Sequence, residues 1–466
     1  MPRRKTRSLI EPPPRSRKVG WFDQRVQGGI VEVLAAPDVF TFHAPTKVLH
    51  GRGAIARLGD EVATECRRPL LVTDPGIVAS GLHRRAIDSL ERRGLAVAIF
   101  DRVTHMATVR SVSEGVAAGR AHGFDCVVGL GGGSALAVAR GVAIVGAEER
   151  PVRELVGGWG AEAPSLRMLP LFSVPTTAGS GSEVSPSAPL LDDELGAKLT
   201  LSGPGTFSRV AILDPDLLAS LPTRQAALSG VDALTHAIEA CCTNLATPIT
   251  DALALAAMGI LVRDLAAAVR GDADARARCL VASTMANQAC GNAKLGLVHG
   301  LARNVQTLFV VPYGVTIGVF LVPVMEFNRP AALPAFARMA DAMGLSRPGE
   351  PESSRAAAVV RAVKRLLAEI GIPRRLGSDE VDRSRIDELA RMVFARNTPA
   401  QLDRAALASV DVGGFAPSPN IRRARYADVV ALYERSLVGW TVEGAPPPVE
   451  GAPPPVEGAP PPQTPA

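Results

Sequence analysis

The chain has 466 residues, 47% of them hydrophobic, which is enough to bury a sizeable core and to build two or three domains. Its net charge of +5 sits largely near the start, at Arg3, Arg4, Lys5, Arg7, Arg15, Arg17 and Lys18, and aromatics are only 4%, so no nucleic-acid partner is expected. No run of about 18 apolar residues escapes interruption by charge, Gly or Pro, Pro12, Pro13 and Pro14 stand where a leader would be apolar, and the six cysteines form no Cys-x-x-Cys pair; no membrane association and a reducing, cytoplasmic setting are expected.

Taken in chain order, residues 1–38 are Arg- and Pro-rich and read as a disordered extension. From 39 to 221, short apolar runs alternate with helical patterns. The strands are predicted at Pro69–Asp74, Ala96–Asp101, Cys126–Leu130 and Leu169–Val174. That alternation implies an α/β domain built on a parallel, helix-covered sheet. Between 222 and 441 the texture changes to long Ala/Leu-rich segments at 224–242, 247–269, 274–292 and 353–371, predicting an all-helical domain. Residues 442–466 carry three copies of Val-Glu-Gly-Ala-Pro-Pro-Pro, an extended tail that cannot build a core.

Two loops carry the first chemical signal. In the first, a predicted strand runs into Gly131, Gly132, Gly133 and Ser134, which open a helix. Glycines there let the backbone approach a diphosphate, and the helix start supplies N–H donors and positive potential. Ser134 can cap or donate. The second, Pro175-Thr-Thr-Ala-Gly-Ser-Gly-Ser-Glu183, is rich in hydroxyls after another strand and can offer Thr176, Thr177 and backbone amides to the same ligand. Asp74, at the end of an earlier strand, can accept from an adenosine ribose, which favours NAD and leaves NADP open. It can equally begin the turn Asp74-Pro75-Gly76.

The helical half offers a metal set. Asp232 and His236 are four residues apart on a predicted helix and share a face, and His299 is a third candidate. A carboxylate with imidazoles suits Fe(II) or Zn(II). An ordinary helix hydrogen bond or ion pair would use the same residues.

On these motifs, with Phe42–Gly51, Lys198, Asp214–Pro222, Gly230–Glu239 and Val311–Val315 in order, the chain from about Phe40 to Trp440 resembles the iron-containing alcohol dehydrogenases. The resemblance implies a Rossmann-like dinucleotide-binding domain, a helical domain, and hydride transfer between NAD(P)H and a small carbonyl substrate in the cleft between them. It also implies a homo-oligomer. It places cofactor contacts at Asp74, Gly131, Gly132, Gly133, Ser134, Thr176, Thr177, Ser180, Ser182 and Lys198, and metal ligands at Asp232, His236 and His299. The family's fourth ligand, a His, is Tyr313 here, its proton-relay His is Arg303, and a Lys and an Asp near the glycine turn are Arg140 and Ala137. His299, Arg303 and Tyr313 are therefore the candidate catalytic residues. Arg303, a permanent cation, raises the expectation of an acidic substrate bound through its guanidinium; an ion pair with a helix carboxylate is the alternative. A metal-independent reductase of the maleylacetate-reductase kind and a catalytically weak nucleotide-binding relative remain as alternative readings.

Overall fold

The computed structural model describes residues 39–156, 165–395 and 404–442. The terminal extensions expected at 1–38 and 442–466 lie outside the described residues, Val442 apart. The strands are β1 (Lys47–His50), β2 (Pro69–Val72), β3 (Ala98–Phe100), β4 (Cys126–Gly131), β5 (Leu171–Pro175), β6 (Ser187–Asp192), β7 (Ala197–Ser202) and β8 (Val210–Leu213). Six of them form one parallel sheet, ordered β1-β8-β5-β4-β2-β3, while β6 and β7 pair as an antiparallel hairpin.

The helices between the strands are α1 (Leu58–Ala63), α2 (Pro75–Ala79), α3 (Leu82–Glu91), α4 (Val109–His122) and α5 (Gly133–Glu148). After residue 222 come α6 (Thr223–Cys241), α7 (Pro248–Val269), α8 (Ala273–Ala293), α9 (Leu297–Leu308), α10 (Tyr313–Asn328), α11 (Leu333–Ala342), α12 (Glu352–Glu369), α13 (Ile386–Phe394) and α14 (Tyr426–Val438). The expected fold class, a parallel-sheet α/β part followed by a helical part, is what the chain adopts. By length and composition α7 could cross a membrane, but it packs between α6 and α8 with Met258, Leu261 and Leu265 buried.

Strand alternation divides the core into two layers. Leu71, Cys126, Val128, Leu130, Phe172 and Ile212 face one side, where they join α1, α3 and the buried faces of the helical part in one apolar cluster. Leu70, Val72, Val127 and Leu171 face the other, against α4, α5 and the hairpin residues Leu190, Leu199 and Leu201. The helices after β2 and the helix after β4 thus cover opposite faces. The chain moves one way from β2 to β3 and the other from β4 to β5, so a crevice opens between the carboxyl ends of β2 and β4. Asp74 follows β2 and Gly131 ends β4 at that crevice. Thr73 ties the two strands together, its hydroxyl donating to the Leu130 carbonyl at 2.8 Å.

Candidate active site

At the crevice, Gly131 has φ 145°, a value that β-carbon sterics make costly for any other residue. A Cβ there would stand 2.7 Å from Ala135 Cβ and 3.1 Å from Asp74 Oδ2. Gly132 caps α5 without a side-chain bond. A Cβ on Gly132 would lie 3.5 Å from Thr177 Cγ2, and one on Gly133 would lie 3.0 Å from Ser180 Oγ and 3.7 Å from Ser182 Oγ. The Thr176 amide donates to the Gly131 carbonyl at 3.0 Å. The two loops therefore meet, presenting helix-start amides beside hydroxyls, a combination suited to a diphosphate. Ser134 does not cap; its hydroxyl donates to the His105 carbonyl at 2.9 Å. Asp74 caps α2, Oδ1 accepting from Ile77 at 3.0 Å, while Oδ2 is the atom nearer Gly131. The turn reading of Asp74 is thus realised through Oδ1.

Arg140 stands about two turns into α5. The sequence comparison placed it near the cofactor, yet it is fully buried and its guanidinium points into the framework. It donates to the carbonyls of Thr206 (3.0 Å), Ser187 (3.1 Å) and Ser182 (2.7 Å) and to the Ser208 hydroxyl (3.3 Å). Burial pulls its pKa down to about 10 against the pull of Glu183. Burial likewise raises Glu183, whose carboxylate accepts from Thr284 at 2.7 Å. Arg140 fastens the glycine-turn helix to the hydroxyl loop and to the hairpin.

The second half of the site is on α6 and α9. Asp232, His236 and His299 offer ligand atoms that all lie within 4.8 Å of one another, and all three are buried. His299 Nε2 is 3.3 Å and His236 Nε2 is 4.0 Å from Asp232 Oδ1, and the two imidazoles stack with centroids 4.6 Å apart. Ligands of one tetrahedral ion stand roughly 3.4 Å apart at ordinary bond lengths, so the three donors need only a small contraction to hold one. Burial opposes the charge of Asp232, but His236 and His299 outweigh it and hold its pKa below the usual carboxylate range. Burial pushes His236 down to about 4.

Glu239, one turn beyond His236 on α6, was quoted in the sequence motif without a role. Its Oε2 accepts from His299 Nδ1 at 2.6 Å and from the Gly296 amide at 3.0 Å; Oε1 accepts from the Val298 amide at 2.6 Å. It thereby satisfies the amino end of α9 and orients the His299 ring so that Nε2 points at Asp232. Burial alone would lower His299, but Glu239 and Asp232 raise it to about 9.

Arg303, Lys198 and Tyr313 form the remaining wall. Arg303 is four residues after His299 and so shares its face of α9. It donates to the Lys198 carbonyl at 2.5 Å, a partner that neither sequence reading named. On β7, Leu199 and Leu201 turn into the core, so period-two alternation sends Lys198 the other way. Its amine donates to Gln306 Oε1 and lies 4.9 Å from the centre of the Tyr313 ring. Tyr313 stands edge-on to His299, 6.3 Å between centroids. Lys198, expected among the cofactor contacts, is thus set by its bonds against α9 and Tyr313. A separate cavity of about 280 Å³, lined by His43, Phe207, Asn287 and Lys294, lies behind the hydroxyl loop, whose Ser180 carbonyl accepts from Asn287 at 2.7 Å. Cys66, Asp125 and Cys126 also cluster, but at the amino end of β4, with both Asp125 oxygens accepting from the Arg67 and Arg68 amides.

The chain is similar to known proteins in sequence and in fold. Residues 45–215 match the family model for iron-containing alcohol dehydrogenase, and residues 226–411 match its C-terminal counterpart. The chain is 33% identical to a lactaldehyde reductase of Escherichia coli K12 over 386 residues, covering 82% of this chain and 96% of the other. It is 33% identical to a 1,3-propanediol dehydrogenase of Klebsiella pneumoniae over 360 residues, with 76% and 92% covered. Among solved structures, a 1,3-propanediol oxidoreductase superposes with a TM-score of 0.78 at 30% identity, covering 86% of this chain and all of that one.

Proposed function

Since the chain belongs to the iron-containing alcohol dehydrogenase family, we propose that it interconverts a small alcohol and its aldehyde or ketone with a nicotinamide dinucleotide, in the cleft between the glycine turn and the Asp232–His236–His299 triad. The observation that carries the reading is the meeting of the two loops at the β2/β4 crevice, with the triad built on the helices that close the cleft. The family implies NAD(P) and a metal. NAD is the nucleotide favoured, because an Asp74 carboxylate at the carboxyl end of β2, beside Gly131, would hold a ribose 2′-hydroxyl and repel a 2′-phosphate.

The donors present fit a divalent ion. Asp232, His236 and His299 would hold Fe(II) or Zn(II), which supplies Lewis acidity to the substrate oxygen. Three protein ligands leave room for substrate. Tyr313 stands where the family has a fourth ligand, and its phenol is better suited to hydrogen-bond the substrate than to bind metal neutrally. Gly131–Gly133, Ser134, Thr176, Thr177, Ser180 and Ser182 would hold the dinucleotide, which supplies the hydride. Arg303, a cation four residues after His299 on the same face of α9, favours a carbonyl substrate that carries a carboxylate, phosphate or phosphonate. A homo-oligomer in the cytoplasm completes the proposal.

The test is metal analysis of the purified chain combined with NADH oxidation on neutral and acidic aldehydes, before and after chelation. Turnover that falls on chelation and returns with Fe(II) or Zn(II) is expected. Undiminished turnover of a chelated, metal-free protein would favour the metal-independent alternative, and NADH binding without turnover of any aldehyde would favour the weak relative.

A further inference from the structure

Reduction of a carbonyl needs a proton for the substrate oxygen as well as a hydride for its carbon, and the residue that stands at the family's relay position, Arg303, cannot give one up at neutral pH. Among the described residues of the wall beside the triad, Lys198 carries a nitrogen able to do so. Lys198 reaches the site because β7 alternation turns it away from the Leu199–Leu201 layer. Its amine is then held by Gln306 Oε1 and by the face of Tyr313, whose ring meets His299 edge-on. Lys198 and His299 thus flank the same phenol.

We propose that the Lys198 ammonium is the proton donor to the substrate oxygen in the reduction direction, and that its amine takes the proton back in oxidation. This rests on the dehydrogenase reading above. In reduction the nicotinamide C4–H bond breaks as the new C–H bond forms at the carbonyl carbon. The Nζ–H bond of Lys198 breaks as the substrate O–H forms, and the neutral amine recovers its proton from water.

The electrostatics suit the task. Burial, and next the neighbouring positive charge of Arg303, lower the Lys198 pKa to about 7, where a group exchanges protons most readily in neutral solution. Among the described residues, the groups that face it include Arg303 and Gln306 from α9 and Tyr313 from the start of α10, and its partner across the hairpin is Leu191, which carries no charge.

The test uses the full chain with its bound metal, reducing propanal with NADH between pH 5.5 and 9.5. Wild-type kcat should fall as pH rises through about 7, since the donor is then lost. Lys198→Met should lower kcat about 10²-fold, the lower end of what general acid catalysis contributes, and remove the inflection while KM for NADH moves little. Arg303→Gln should shift the inflection upward by withdrawing the repelling charge. If Lys198→Met weakens NADH binding but keeps kcat and the inflection, Lys198 is a cofactor contact and the proposal fails. Should that variant not fold, reductive ¹³C-methylation of the wild type and NMR titration of the Lys198 signal give a second reading. A midpoint near 7 supports the proposal and one near the ordinary lysine value, about 10.4, overturns it. Absence of NADH oxidation by the wild type with every aldehyde would instead defeat the dehydrogenase reading, and the NMR titration would still report on Lys198.

Discussion

Glu239 shows how a single buried side chain can serve both the fold and the site. With three donors on its two oxygens, it satisfies the open end of α9 and orients His299 at once. Glu239→Gln should therefore weaken metal binding about 10- to 100-fold, the usual cost of losing such an outer partner, as read by competition with a chromogenic chelator; unchanged affinity would remove its orienting role. Arg140 acts on the framework instead. Arg140→Leu removes the Arg140 donor from the Thr206, Ser187 and Ser182 carbonyls and a nearby positive charge from Glu183, and should cost about 3 kcal/mol, measurable by denaturant unfolding. The triad was legible because Asp232 and His236 repeat at helical spacing within a family motif. Glu239 was not, because its meaning depends on a helix that begins nearly 60 residues later, and only the fold could turn Arg140 away from the cofactor and Lys198 toward α9.

The site is held by how elements end and how they pair. The start of α5 is shaped by a turn that tolerates no side chain at Gly131: Gly131→Val adds a Cβ against Ala135 at a backbone angle that costs on the order of 1–3 kcal/mol for other residues. It should reduce NADH affinity at least tenfold by fluorescence titration while the circular dichroism spectrum stays unchanged. Between α7 and α8, Asp264 accepts from Arg263 and Arg278 at 2.7–3.2 Å. The hydrogen bond from Arg278 comes first among the causes that lower its pKa to about 2. An unfolded Asp titrates near 3.9, so the stability Asp264 supplies is fully present above about pH 4 and is lost as pH falls through about 2. The difference in melting temperature between wild type and Asp264→Asn should accordingly be constant from pH 5 to 7 and shrink below 4. Strands β2 to β5 were legible as apolar runs with turn residues behind them. β1 is mostly exposed and has Lys47 and His50 at its ends, so it offers no apolar run, and the β6/β7 hairpin mixes serines, a proline and charges that mask its alternation.

At the scale of the whole chain, one apolar cluster runs from the sheet through the helices that follow residue 222, so the two parts share a core rather than a narrow hinge. Thermal unfolding should be a single calorimetric transition, and two separated transitions would contradict that continuity. The change from alternating runs to Ala/Leu-rich segments made this two-part plan visible in the sequence. What it could not show was that the loops at 131–134 and 175–183 would meet. That meeting is the central claim, and calorimetric titration of NADH into the wild-type chain and Gly131→Val tests it most directly. One binding site per chain, lost or weakened at least tenfold in the variant, is the expected result. No heat of binding to the wild type, or equal binding by both proteins, would contradict the account.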